Sequence, residues 1–222
     1  MKSETYIPAL GYDWLTPFYD TVVRFTTREA EFKAALMEQA KIAVDHRVLD
    51  LGCGTGTLAI FLKQHNRHAE IIGIDGDAKI LEIAKAKAKA TVSDIQFHKG
   101  LSFDLPYADC SFDLVLSSLF FHHLTKENKL KTMSEVKRIL RPTGEFHVAD
   151  WGEASNFMMR VASKGIEMLD GFETTRDNFN GVLPQLISES GFEYVVETDS
   201  FDTVFGTLRL HRSQKPSSFE DK

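Results

Sequence analysis

The chain has 222 residues, 43% hydrophobic and 26% charged, with a formal net charge of −6. That size and balance suit one globular domain with an ample core. The acidic total argues against a broad nucleic-acid surface, which needs clustered Lys and Arg. Two cysteines, Cys53 and Cys110, form no C-x-x-C pair, so thiolate zinc and redox dithiol sites are not expected and a reducing, cytoplasmic setting fits. No metal site is expected. No apolar window is long enough to span a bilayer, and no signal core follows Met1, although contact with a membrane surface stays open. The oligomeric state is not legible.

Residues 12 to 44 read as two helices carrying Trp14, Phe18, Tyr19, Phe25, Phe32, Leu36 and Met37. Val48-Leu49-Asp50-Leu51 is a short apolar run that stops at glycine, as a buried strand does. Leu58 to Gln64 then reads as a helix, Ile71 to Asp75 as a strand, and Ala78 to Ala90, with no breaker, as a second helix. Ile95 to His98 and Phe112 to Ser117 are further strands. Leu130, Met133, Val136 and Leu140 recur at helical spacing. Arg141-Pro142-Thr143-Gly144 reads as a turn and Glu145 to Ala149 as a fifth strand. Residues 155 to 172 form an apolar helical stretch, and Phe192 to Thr198 with Thr203 to Leu210 read as an antiparallel pair.

Strands alternating with helices imply a doubly wound, mostly parallel sheet covered on both faces, Rossmann-like in kind. One domain is expected over residues 1–222: an N-terminal helical cap (1–45), a binding core (46–149), a cap insertion (150–180), a C-terminal helix and strand pair (181–212) and a tail (213–222). In such sheets the ligand sits beyond the carboxyl ends of the strands, so the informative residues are those that follow strands.

Gly52, Gly54 and Gly56 stand between a strand and a helix. Alternating glycines there permit a tight turn and close approach of a ligand to the backbone. The dinucleotide fingerprint G-x-G-x-x-G needs a third small residue three after Gly54, and Thr57 stands there, although Asp75 lies at roughly the expected 20 residues on. A nicotinamide oxidoreductase is therefore disfavoured, and the phosphate-cradling G-x-x-x-x-G-K-[ST] loop is absent. The spacing D-x-G-x-G-x-G suits a ligand with a carboxylate, an amine and a ribose but no pyrophosphate.

At this point the sequence resembles a known family. Val48 to Thr57 looks like the first motif of class I S-adenosylmethionine-dependent methyltransferases. Ile72-Gly73-Ile74-Asp75 resembles their second-strand motif ending in an acid. Leu105 to Val115, Ser117 to Leu124 and Arg138 to Gly144 resemble the LPF-x-D-x-SFD-x-V, S-x-x-x-LHHL and R-x-L-[RK]-P-G-G segments. The match covers about residues 46 to 149 and stands nearest the ubiquinone and menaquinone C-methyltransferase type. It implies a seven-stranded sheet with a C-terminal antiparallel pair and helical caps.

The resemblance also implies roles. Asp50 and the Gly52-Cys53-Gly54-Thr55-Gly56 backbone would hold the methionine end of S-adenosylmethionine, Asp75 with Gly76 the ribose hydroxyls, and Ile80 the adenine. Ser117 ends the next strand of the site. Where the family places G-D-A, this chain has Gly100-Leu101-Ser102. Leu101 cannot accept a hydrogen bond from the adenine amine, so Asp104, a backbone carbonyl or the Ser102 backbone would substitute. On the acceptor side the candidates are His122, His123, Asp150 and Tyr19 for catalysis, and Tyr12, Trp14, Tyr19 and Trp151 for substrate contact. Phe157 to Leu169 would line an apolar pocket for a small hydrophobic acceptor, quinone-like or lipid-like. The rival readings are a cofactor-binding regulatory protein without transfer activity, and a protein or nucleic-acid methyltransferase.

Overall fold

The computed structural model describes residues 28–161 and 177–217. Tyr12, Trp14 and Tyr19 lie outside the described residues. The elements in chain order are α1 (Glu29–Ala40), β1 (Arg47–Leu51), α2 (Thr57–His65), β2 (Glu70–Asp75), α3 (Ala78–Ala90), β3 (Gln96–Lys99), β4 (Phe112–Ser118), a short 3-10 turn (Phe121–His123), α4 (Lys126–Ile139), β5 (Leu140–Trp151), α5 (Leu183–Glu189), β6 (Glu193–Thr203) and β7 (Gly206–Gln214). Among the described residues no helix is long and apolar enough to cross a membrane.

The strands form one sheet in the order β3-β2-β1-β4-β5-β7-β6. Its first five members are parallel, and β7 runs antiparallel to both β5 and β6. The chain leaves β1 toward β2 and β3, then returns to place β4 on the other side of β1. That reversal opens a crevice at the carboxyl ends of β1 and β4, the usual ligand position in such sheets. Because β7 is antiparallel, its first residues share this edge with the last residues of β5.

Alternate residues of each strand serve opposite faces. Val48, Ile71, Leu114, Leu116 and Ala149 pack under Phe32 and Leu36 of α1 and Leu58 and Leu62 of α2. Leu49, Ile72, Val115, Phe146 and Val148 pack under Met133 and Val136 of α4 and Leu186 and Ile187 of α5. Helix α1 thus covers a sheet face, with Phe32 and Leu36 fully buried. Helices α3 and α4 carry side-chain N-caps: Asp77 accepts from Lys79 N and Ile80 N, and Thr125 from Asn128 N, each worth about 1 kcal/mol.

Two sequence expectations shift. Arg141 to Gly144 is not a turn between elements. The residues lie within β5, in an irregular stretch where the partner of Phe112 is Leu140 and that of Leu114 is Glu145. Hydrogen bonds from Thr143 N to Lys215 O and from Lys215 N to Gly144 O hold the stretch against the C-terminal chain. Leu140 therefore opens the strand instead of closing the helix. The antiparallel pair is also longer than its sequence suggests, and Thr203 ends β6 instead of opening the next strand. β6 is an edge strand whose residues are mostly exposed, so it runs through Asp199 to Asp202, the stretch that reads as the connection between the two strands.

Candidate functional site

The site begins where β1 ends. Gly52, Gly54 and Gly56 all have positive φ, at 69°, 51° and 74°, but they do different work. A Cβ on Gly52 would meet the Phe120 ring at 2.3 Å, and one on Gly56 would meet Phe97 at 2.9 Å and Ala84 at 3.0 Å. Those two glycines admit neighbouring side chains. A Cβ on Gly54 would meet nothing within 4 Å, so this residue leaves an open face for a ligand.

Two carboxylates hold the loop from beneath. Asp50 Oδ2 accepts from Ala59 N at 2.9 Å and serves the first turn of α2, whose N-cap is Gly56 and has no side-chain cap. Asp50 Oδ1 is buried and has no hydrogen-bond partner. Burial pushes the Asp50 carboxyl up to about 7, against the pull of Lys33 and the Ala59 N–H. Lys33 reaches this region from α1 and pairs with Glu29 at 2.5 Å. Asp75 Oδ2 accepts from Gly54 N and Oδ1 from Asp77 N, both at 2.9 Å. Burial raises the Asp75 carboxyl too, opposed by the Asp77, Gly54 and Gly76 N–H groups. Cys53 is buried, and burial with the nearby Asp50 and Asp75 pushes its thiol well up, which marks it as packing and not as a nucleophile.

Beyond these, Ile80 is half-buried at the start of α3. Ser117 Oγ donates to Leu51 O at 2.9 Å and ties β4 to β1 at the crevice. Ser102 is buried with its hydroxyl 2.8 Å from Thr132 Oγ1. Leu101 is exposed, and its backbone closes a tight turn with Asp104. Asp113 accepts from Arg47 N and from Arg141, a structural use.

The second cluster stands one and two strands away. Asp150 is buried at the end of β5 and gathers donors: Phe120 N at 3.1 Å, His122 N at 3.3 Å and Trp151 N at 2.7 Å, with His122 Nδ1 2.7 Å from Oδ1. Burial pushes the Asp150 carboxyl up, but the His122 imidazole and these donors together bring it below its ordinary value. An ionised carboxylate facing Nδ1 requires a proton on that nitrogen, which in a neutral ring assigns the lone pair to Nε2. The His123 ring lies 3.9 Å from that of His122. Burial, with His122 beside it, holds His123 well below the usual imidazole range. Trp151 meets His122 edge-on at 6.5 Å and stacks on Phe179 at 6.0 Å. Fully buried Lys129 also faces this group, its ammonium lowered by burial and supported by Asp150 and Asp177. Sequence reasoning missed Lys129, because a lysine on an amphipathic helix gives no sign of burial.

The structure thus brings His122, His123, Asp150 and Trp151 together, and joins them through Phe120 to Gly52. Of the apolar stretch expected to line a pocket, only 157–161 is described, and there Phe157, Met158 and Val161 are exposed.

The glycine loop also fits the cofactor that the sequence motifs imply. Gly54 offers an open backbone face, Asp50 Oδ1 is a buried acceptor without a hydrogen-bond partner, and an Asp75 carboxylate keeps acceptor capacity beyond its backbone donors.

Comparisons with known proteins give the family. A family model described as a methyltransferase domain matches residues 48–144. An uncharacterised methyltransferase of Synechocystis is 31% identical over 188 residues, covering 83% of this chain and 84% of the relative. A demethylmenaquinone methyltransferase of Deinococcus radiodurans is 33% identical over 132 residues, covering 59% of this chain and 54% of the relative. The chain therefore spans only about half of that second protein. Among solved structures, the [4+2]-cyclase SpnF superposes with a TM-score of 0.71 at 18% identity, covering 93% of this chain and 94% of that one, a likeness of fold alone.

Proposed function

The chain belongs to the S-adenosylmethionine-dependent methyltransferases, and from that premise we propose that it methylates a small, largely apolar molecule held beyond β4 and β5. The observation that carries the acceptor side is the buried His122–Asp150 pair at the carboxyl edge, one strand from the glycine loop. A quinol-like ring agrees with the names of several relatives, demethylmenaquinone methyltransferases, and with an aromatic wall of Trp151 and Phe179.

Bound S-adenosylmethionine supplies a methyl group activated on a sulfonium centre. The chain supplies position and proton management. Asp50 and the Gly52–Gly56 backbone hold the methionine end, Asp75 and Gly76 the ribose hydroxyls, and Ile80, Leu101 and Ser102 the adenine edge. His122 Nε2 takes the acceptor's proton, and Asp150 keeps the other ring nitrogen protonated and stabilises the imidazolium that forms. His123, held neutral, adds no competing charge. Trp151 closes the acceptor side against water.

The test uses methyl-labelled cofactor with demethylmenaquinol and simpler quinols. Label is expected in the quinol, and Asp150→Asn should lower kcat roughly 10²-fold while S-adenosylhomocysteine affinity stays within twofold. Unchanged kcat in that variant removes the base. A chain that does not bind S-adenosylhomocysteine in calorimetry removes the whole reading.

A further inference from the structure

A cavity of about 120 Å³ opens next to the proposed acceptor position, between the ends of β5 and β7 and the start of α5. It lies outside the glycine loop and uses none of its residues. Asn178 is 1% exposed and its Nδ2 has no hydrogen-bond partner; His211 is 4% exposed and neither ring nitrogen has one. Both residues line the cavity. Three buried polar atoms without hydrogen-bond partners, on two residues that line one small space, carry a desolvation cost that ligand atoms of complementary kind would relieve.

The register connects this space to the His122–Asp150 pair. Asp150 stands opposite Arg209, and Val148 opposite His211. Partners in an antiparallel pair share a face, so Asp150, Arg209 and His211 lie on one side of the sheet. Trp151, which meets His122 edge-on, also lines the cavity. One or two strand spacings, roughly 5–10 Å, separate it from His122, within the span of a single small molecule.

The donor set selects the chemistry. Asn178 Nδ2 donates only. A neutral His211 ring donates through one nitrogen and accepts through the other, and burial favours that neutral form. The lining cation, Arg209, is balanced by Glu197 at 2.6 Å, and Glu153 adds another carboxylate. An anionic group would meet those acids, and a cationic one would meet the Asn178 amide hydrogens. An uncharged hydroxyl accepts from Asn178 and donates to His211.

We propose that this cavity is the acceptor's polar subsite, in which Asn178 and His211 bind an uncharged hydroxyl on the molecule whose other end receives the methyl group. The assignment rests on the acceptor placement argued above, and it replaces a wholly apolar acceptor with one that carries a hydroxyl at its far end.

The test follows the Asn178 side-chain amide and the His211 ring by nuclear magnetic resonance while phenol, anisole and benzoate are titrated into the full chain. Phenol is expected to shift both signals and to bind at least tenfold more tightly than anisole, which cannot donate, or benzoate, which is charged. Asn178→Leu and His211→Leu should each weaken phenol at least tenfold and leave S-adenosylhomocysteine affinity within twofold. Signals that do not move, as for a cavity holding water only, overturn the proposal, as does anisole or benzoate matching phenol. The titration of the parent chain decides this even where a variant does not fold. Phenol shifts at both residues in a chain that fails to bind S-adenosylhomocysteine support the cavity and count against the methyl-transfer reading.

Discussion

Replacing Asp50 with asparagine isolates the one buried carboxylate oxygen beneath the glycine loop that has no partner. Asparagine keeps an oxygen for the Ala59 N–H and removes the charge. Burial places the Asp50 carboxyl at about 7 in the folded chain, above the ordinary carboxylate value. From about pH 4 to 7 the folded chain therefore holds a proton that the unfolded chain has released, and stability falls as pH rises through that window. Each unit is worth about 1.36 kcal/mol, so from pH 5 to pH 8 the stability of Asp50→Asn relative to the parent should rise by about 3 kcal/mol. Urea denaturation of both proteins, without cofactor, at four pH values in that range measures it. Taking the difference between the two proteins cancels the titrating groups that do not interact with Asp50. A bound ammonium would restore the ionised form, so S-adenosylhomocysteine affinity in the parent should rise with pH up to about 7, by roughly tenfold per unit at most. Parallel stability curves for parent and variant would refute the reasoning, because they would mean that Asp50 is ionised at little cost in the ligand-free fold.

The three glycines should separate by phenotype. Gly54→Ala places a methyl in open space, so it should cost only about 1 kcal/mol of strain at its positive φ yet weaken S-adenosylhomocysteine at least tenfold. Gly52→Ala, which drives a methyl into Phe120, should cost about 3 kcal/mol or more in denaturation; equal stability losses in the two variants would defeat the distinction. Asp75→Ala removes the carboxylate that holds the Gly54 and Asp77 N–H groups and should weaken the cofactor at least tenfold in calorimetry. Unchanged affinity there would end its assignment to the ribose.

Local signals carried far in the cofactor half. Helix α3 spans the stretch its sequence suggests, Ala78 to Ala90, because Asp77 caps it and nothing inside interrupts it. The glycine loop was equally plain, yet the separate duties of its glycines were not. Phe120 and Phe97, which two of them accommodate, arrive from the turn after β4 and from β3, and no local spacing records such meetings. The His122–Asp150 contact was accessible as two strand-end candidates but not as a pair, since 28 residues separate them. Asn178 and His211 left no signal at all: one lies just before α5 and the other within β7, and only the antiparallel register and the helix above make them neighbours. In β6, solvent on an edge strand permits the polar residues that disguise it.

The strand order divides the molecule into halves that can change at different rates. The residues assigned to the cofactor end or follow β1, β2, β3 and β4, within the span that the family model matches. That match stops at residue 144, short of Asp150, Trp151, Asn178, Arg209 and His211, which all sit across β4 on the β5–β7 side. If the proposed site holds, a cofactor grip on one half is separable from the strands that would set which molecule is methylated. On the proposed assignments, substitutions at the antiparallel margin of the sheet would alter specificity without disturbing the loop proposed to bind the methyl donor.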